Sequence, residues 1–412
     1  MAALVTRPLW AGRVAALLGI LLIAINLRTA VVALSPIVDL VAGDIPLGSV
    51  GLGLLGALPP VAFAVAGLVA PRVARRLGLD GTLLLACAAM VLGPIIRAVA
   101  PNYLVLVLGT IVALAGMGFG NILLPPAVKK YFPDRIGQVT TAYATLLSLS
   151  TSIPALIASP VADAVGWRLS VAVWAVFAFT ALVPWLVLRA GQRRGTVVDP
   201  AVADLEAEPQ ALERMWRAPT ARALGVILAV SAVATYAFFA WLPELLADRV
   251  GSSPAEAGGL LALFGIAGLP SALVIPLIVT RIRNVGWLIV GGVLLFLVGC
   301  LGLLFFPTAA PWLWVALCGA GTLLFPLALT LINLRTRSHA NSAALSGFVQ
   351  AVGYSAGAVG PLAVGIIHDV TGGWDAPLTF LALVSVTALG AAAVLARGRF
   401  VEDELAAHGS NP

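Results

Sequence analysis

Twelve membrane-crossing helices in an all-α fold are what this sequence predicts, and three observations lead there. Composition is the first: of 412 residues, 61% are hydrophobic and 10% charged, against about 25% charged in soluble domains. The second is the length of the apolar runs, under a mean hydropathy of +1.05. The third is the placement of Lys and Arg between those runs.

A helix crossing about 30 Å of hydrocarbon needs roughly 20 apolar residues. Such runs occur at 15–38, 50–70, 80–100, 103–127, 137–160 and 168–189, and again at 221–246, 255–280, 285–306, 311–333, 341–367 and 376–396. The first follows Arg7 and Arg13 and has the start of a signal peptide. Its apolar character continues past Arg28 to Val38 without a small-residue cleavage site, so it reads as a retained span. Between the sixth and seventh runs lies a long polar stretch with Asp199, Asp204, Glu206, Glu208 and Glu213. The expected organisation is therefore a six-helix bundle at 1–189, a cytoplasmic linker at 190–220, a second bundle at 221–397 and a cytoplasmic tail at 398–412.

Basic residues fix the orientation. With the N-terminus inside, twenty of the 24 Lys and Arg fall on inner segments and only Arg97, Arg168 and Arg249 on outer ones, leaving Arg28 within a span. One missed or false span would invert every later loop and scramble this bias. The expectation is a multi-pass protein of the bacterial inner membrane with both termini cytoplasmic. Because the basic residues cap apolar segments and form no stripe interleaved with aromatics, the net charge of +6 does not point to nucleic acid.

The halves echo each other. Gly116-Met-Gly118-Phe-Gly120-Asn121 to Pro125-Pro126, followed by Lys129, Lys130 and Arg135, parallels Gly319-Ala-Gly321 to Phe325-Pro326, followed by Arg335 and Arg337. Pro160 to Gly166-Trp167 parallels Pro361 to Gly373-Trp374. Internal symmetry of this kind marks carriers built from repeated bundles, with the solute site between them.

Arg28, near the middle of span 1, is the most informative residue. An arginine at helix centre costs about 2.5–3.5 kcal/mol on insertion scales, so it is expected to face a cavity or a partner. Its planar five-donor fork suits planar or oxyanionic groups. The competing structural reading has it binding backbone carbonyls at a helix break. Asp and Glu lie in loops or at span ends, with Asp39, Asp163, Glu244 and Asp369 nearest the membrane, and the three histidines are peripheral. A central positive charge without a carboxylate favours an anionic or electron-rich solute, and it argues against a proton relay at mid-depth.

Other intramembrane polar and aromatic groups complete the candidate site. Asn121 must be hydrogen-bonded at its depth. Tyr236 and Phe239, one turn apart in span 7, read as cavity wall or interfacial belt. Tyr143, Gln350 and Tyr354 read as solute contacts or helix glue. The glycine rows of spans 4 and 11 read as close-packing faces. Cys87, Cys300 and Cys318 sit in apolar runs and read as buried small residues. Neither a metal-ligand spacing, a phosphate-binding loop nor a nucleophile–base pair at depth is found, so no enzyme, cofactor or metal is expected, and no obligate protein partner is evident.

Two sets of motifs carry a family resemblance. Gly67-Leu-Val-Ala-Pro71-Arg72-Val-Ala74-Arg75-Arg76 resembles the gating loop between spans 2 and 3 of the major facilitator superfamily, with Gly67, Arg72, Arg75 and Arg76 at matching positions, Pro71 at the acidic one and Ala74 at the second glycine. Asn26-Leu27-Arg28, Gly118 to Pro125, Phe132-Pro133-Asp134-Arg135, Ala344 to Gly347, Gly353-Tyr354 and Gly360-Pro361 to His368-Asp369 resemble the cyanate permease/2-nitroimidazole transporter family. The resemblance covers essentially the whole chain. It implies a twelve-helix alternating-access carrier whose helices 1, 4, 7 and 10 line a central cavity and whose solutes are small anions or nitro-heterocycles. An efflux carrier of drug-like molecules is the alternative within the class, and a non-transporting sensor the alternative outside it.

Overall fold

A computed structural model describes residues 13–132, 134–191, 214–279, 281–282, 284–337 and 339–409, so most of the expected linker lies outside the described residues. Those residues carry twelve helices long and apolar enough to cross a membrane. The spans, numbered 1 to 12, are Val14–Val32, Val50–Gly67, Arg76–Ala98, Tyr103–Val128, Gln138–Val165, Trp167–Ala190, Pro219–Val250, Pro254–Ile275, Gly286–Phe305, Pro311–Leu334, Ala344–Thr371 and Asp375–Leu395. They form two pseudo-symmetric six-helix bundles.

Local chemistry sets the helix ends. Pro219, Pro254 and Pro311 open their helices at positions where the missing N–H is not needed. Asn102 caps span 4 by accepting from the Val105 N–H, and Ser253 with Glu256 forms a reciprocal capping box on span 8. From Ser49 to Ala98, through spans 2 and 3, the helical path is broken only at Gly78, whose φ of 73° a residue with a Cβ would adopt at a cost.

The repeat seen in the sequence extends to contacts that the sequence does not announce. Trp167, at the start of span 6, donates from Nε1 to Asp44 beyond span 1 at 2.9 Å. Trp374, just before span 12, donates from Nε1 to Asp248 at the end of span 7, also at 2.9 Å. Each half thus ties the end of its first helix to the start of its sixth by the same bond.

Tight contacts between the halves line up on the face away from the termini. A Cβ on Gly56 of span 2 would sit 2.7 Å from Ala240 Cβ of span 7 and 2.8 Å from Pro361 Cβ of span 11. Gly53 meets the Pro361 carbonyl and Gly258 of span 8 meets Ala155 of span 5 in the same way. Ser152 of span 5 donates to the Ala262 carbonyl of span 8. These crossings close that face.

Candidate functional site

Span 1 is not one continuous helix. It runs Val14–Asn26, breaks at Leu27 and Arg28, and resumes at Thr29–Val32 before a 3-10 turn at Ser35–Ile37. Arg28 stands at the break with φ −125° and ψ −3°. Side chains around the break compete for the backbone: Asn26 Nδ2 donates to the Leu22 carbonyl at 2.8 Å, and Thr29 Oγ1 donates to the Asn26 carbonyl at 3.1 Å. Non-helical backbone at membrane depth is stable only inside protein or beside a cavity. Asn26, 1% exposed, is inside protein, while Arg28 is only partly buried.

The Arg28 side chain reaches the other half of the molecule. Nη1 donates to the Tyr236 hydroxyl of span 7 at 3.0 Å. The Tyr354 hydroxyl of span 11 lies in side-chain hydrogen-bonding reach of both Arg28 and Asn121 of span 4. Phe63 of span 2 offers its ring face to the guanidinium at 5.1 Å, a cation–π contact, and meets Tyr354 edge-on at 6.1 Å. Phe239 stands edge-on to Tyr236 at 6.2 Å and to Phe264 of span 8 at 5.9 Å. Gly120 makes room for this arrangement, since a Cβ there would press on Leu27 and Ile23 of span 1.

Five of the residues singled out in the sequence therefore meet: Arg28, Asn121, Tyr236, Tyr354 and, behind Tyr236, Phe239. The charge and the amide come from one half, the phenols from the other. Among the described residues no carboxylate pairs with Arg28. The group can hold a small anion or a planar, electron-rich molecule by the fork of Arg28, the hydroxyls and aromatic faces.

Two other candidates are not part of this group. Gln350 donates within span 11 to Ser346 Oγ, one turn back, at 2.9 Å. Tyr143 packs partly buried against the main hydrophobic core, which draws on both halves. Phe63 was missed: nothing in its spacing separates it from the other phenylalanines of the apolar runs.

Of the gating-loop motif, Arg72 and Arg76 are exposed, Gly67 lies near Ile122, and the Arg75 side chain is outside the described residues. Near this loop Lys130 pairs with the buried Asp80 at 3.0 Å, joining the ends of spans 3 and 4. Nearby, outside the spans, Arg13 grips Asp134 at 2.7 and 3.1 Å. The hydrogen bond from Arg13 holds the Asp134 carboxyl down at about 2.

Arg97 corrects the charge assignment. Counted as an outer-loop residue, it lies inside span 3 and is 1% exposed. Its Nη1 donates to the Ala30 carbonyl in the broken part of span 1 at 3.1 Å. Proximity to the end of an apolar run hid this, because a side chain as long as arginine reaches inward as easily as outward.

Comparison with known proteins bears on all of this. The family model described as Major Facilitator Superfamily matches residues 16–361. The 2-nitroimidazole transporter of Escherichia coli (strain K12) is 32% identical over 376 residues, covering 91% of this chain and 93% of that protein. The cyanate transport protein of the same organism is 25% identical over 373 residues, covering 90% and 94%. A crystal structure of a D-xylose-proton symporter matches in fold with a TM-score of 0.71 at 14% identity, covering 91% of this chain and 96% of that one.

Proposed function

The chain belongs to the Major Facilitator Superfamily, and from that premise we propose that it is a secondary transporter of a small anionic or planar electron-rich solute. One observation carries the reading: Arg28, without a carboxylate partner among the described residues, reaches across to the other half and donates to the Tyr236 hydroxyl, with Tyr354 beside it. Two relatives, a 2-nitroimidazole transporter and a cyanate transport protein, are named for solutes of that chemistry, since both are small with electron-rich nitrogen and oxygen.

The solute binds by the Arg28 fork, with Asn121, Tyr236 and Tyr354 as further polar contacts and Phe63 and Phe239 as walls. The halves, 1–189 and 221–397 joined by the segment 190–220, rock about this point, and the loop bearing Gly67, Arg72, Arg75 and Arg76 serves the opposite gate. With both termini in the cytoplasm of a bacterial cell, the closed face is the outer one and the site communicates inward. An efflux role for drug-like molecules would need a broad aromatic cavity, whereas the polar groups here converge on one guanidinium.

The test is counterflow in proteoliposomes of labelled cyanate, nitrate, benzoate and 2-nitroimidazole, comparing wild type with Arg28→Gln and Arg28→Lys. Saturable exchange of at least one solute, lowered a hundredfold or more by Arg28→Gln and partly restored by Arg28→Lys, is expected. Exchange unaffected by Arg28→Gln would overturn the assignment.

A further inference from the structure

A narrow pocket leads from Tyr236 toward the closed face, and no step described above uses it. Its walls include Ala30 and Ser35 of span 1 and its continuation, Gly56 of span 2, Thr110 of span 4, and Tyr236 and Phe239 of span 7. The Arg28 site and this pocket therefore share Tyr236 and Phe239. Gly56 at its far side belongs to the closed crossing itself.

Two unsatisfied polar groups border it. Ser35 lines the pocket, is 5% exposed, and its Oγ has no hydrogen-bond partner among the described residues. Arg97 stands behind the wall. Its Nη1 holds the carbonyl of Ala30, a wall residue, and its side chain runs over Gly109, next to the wall residue Thr110. Nε and Nη2 of Arg97 are buried without partners among the described residues, and no carboxylate is paired with it there.

A clamp on the broken span 1 would explain Nη1 and nothing more. A buried guanidinium left uncompensated is costly. The cost falls if a mobile anion visits the adjoining pocket, because Coulomb attraction is strong where water is excluded. A free hydroxyl lining the pocket then has its donor role as well.

We propose that this pocket is a second anion station on the solute's path, between Arg28 and the closed face. Ser35 donates its hydroxyl proton to the visiting oxyanion or carboxylate, and the Arg97 charge behind Ala30 makes the pocket electropositive without touching the solute. The proposal rests on the reading that the path runs through the Arg28 site. It gives the anion a foothold once the Arg28 contacts loosen, so that release toward the outer face proceeds in two shorter steps.

The test uses Ser35→Cys in the full-length protein in proteoliposomes, with the parent as control because Cys87, Cys300 and Cys318 are buried. Modification from the outer face is timed with two methanethiosulfonates, one bearing a sulfonate and one a trimethylammonium group, each normalised to its rate with a free thiol. The expected result is a tenfold or greater preference for the sulfonate, reduced to near parity by Arg97→Gln, retained by Arg97→Lys, and protection of the thiol by nitrate. Equal rates with Arg97 intact, a preference for the cation, or no reaction with either reagent would overturn the proposal. If Arg97→Gln does not fold, the ratio measured with Arg97 present still decides. Counterflow of Arg28→Gln is run in parallel. An unaffected counterflow rejects the central site while leaving a charge-selective pocket standing, and lost counterflow with equal reagent rates rejects the pocket alone.

Discussion

Replacing Gly56 with alanine adds one methyl group where span 2 crosses spans 7 and 11. The new carbon would lie 2.7 Å from Ala240 Cβ and 2.8 Å from Pro361 Cβ, against an optimum of about 3.5–4.0 Å between carbon atoms. Neither neighbour can turn away. A Cβ has no rotamer, and Pro361 is tied by its ring and by the bond from Trp241 Nε1 to its carbonyl at 2.9 Å. The helices must separate by roughly 1 Å, and overpacking of this kind costs about 1–3 kcal/mol. Alanine also favours the helix over glycine, by up to about 1 kcal/mol, but that gain is common to every state of the cycle. The overlap exists only while this face is closed.

The differential is therefore the overpacking term alone, and 1–3 kcal/mol shifts a two-state equilibrium by about 5–150-fold away from the closed-face state. Spin labels at Asp163→Cys and Thr371→Cys, both exposed on that face in opposite halves, report the shift as a longer-distance population in double electron–electron resonance. Gly390→Ala serves as control, since a Cβ there meets nothing within 4 Å. The longer population is expected to grow in Gly56→Ala and not in the control. A distance distribution unchanged by Gly56→Ala, with or without loss of thermal stability, would refute the argument that this crossing is a gate.

The site and the periphery give further expectations. Tyr236→Phe and Tyr354→Phe should each raise the half-saturation concentration for counterflow several-fold, and the double variant should fall short of the product, because both hydroxyls address Arg28. A purely multiplicative double variant would mean that the two act independently. The Asp134 carboxyl, depressed from 3.8 to about 2 by Arg13, gives a contribution fully present above pH 4 and lost as pH falls through about 2. The difference in Tm between wild type and Asp134→Asn should thus be flat from pH 5 to 8, and a change in that range would contradict the pairing. Glu404 of the terminal helix Val401–Gly409 accepts from the N–H and the hydroxyl of Thr220 at the start of span 7, both at 2.9 Å. Glu404→Ala should cost about 2–3 kcal/mol of stability, read as a lower Tm in detergent, with counterflow per folded molecule retained.

The spans were legible because lipid imposes length and apolarity on every helix, leaving few sequences that satisfy both. Arg28, Asn121, Tyr236 and Tyr354 were legible for the complementary reason that polar groups at depth are rare and must have partners. The same criterion also selected Gln350, and there it failed: its partner, Ser346, is one turn away on its own helix, and sequence does not separate local from interhelical satisfaction. Phe63 was invisible because an aromatic that meets a cation is chosen by tertiary placement, not by pattern. Arg97 was misassigned although the third apolar run, 80–100, contains it, because nearness to a span end does not decide between solvent and core for so long a side chain. The Asp44 and Asp248 partners of the paired tryptophans lie more than 100 residues from them, beyond any local signal.

Under the proposed reading, asymmetry between two similar halves lets this site work on a moving interface. The cation and the amide belong to spans 1 and 4, the phenols to spans 7 and 11, so rocking the halves stretches the Arg28–Tyr236 bond. A hydrogen bond to a charged group contributes about 1.5–3 kcal/mol, which an empty carrier loses when the bond parts. In the proposed cycle, an anion between the halves would accept from Arg28 and from the hydroxyls together and replace the strained bond with two new ones. Loaded exchange is then easier than empty return, which is why counterflow, in which the carrier crosses loaded in both directions, is the most sensitive assay for Arg28. The break in span 1 serves the same end. It sets the guanidinium on backbone that is already non-helical, where small changes in φ and ψ let the fork follow the solute without unwinding a regular helix.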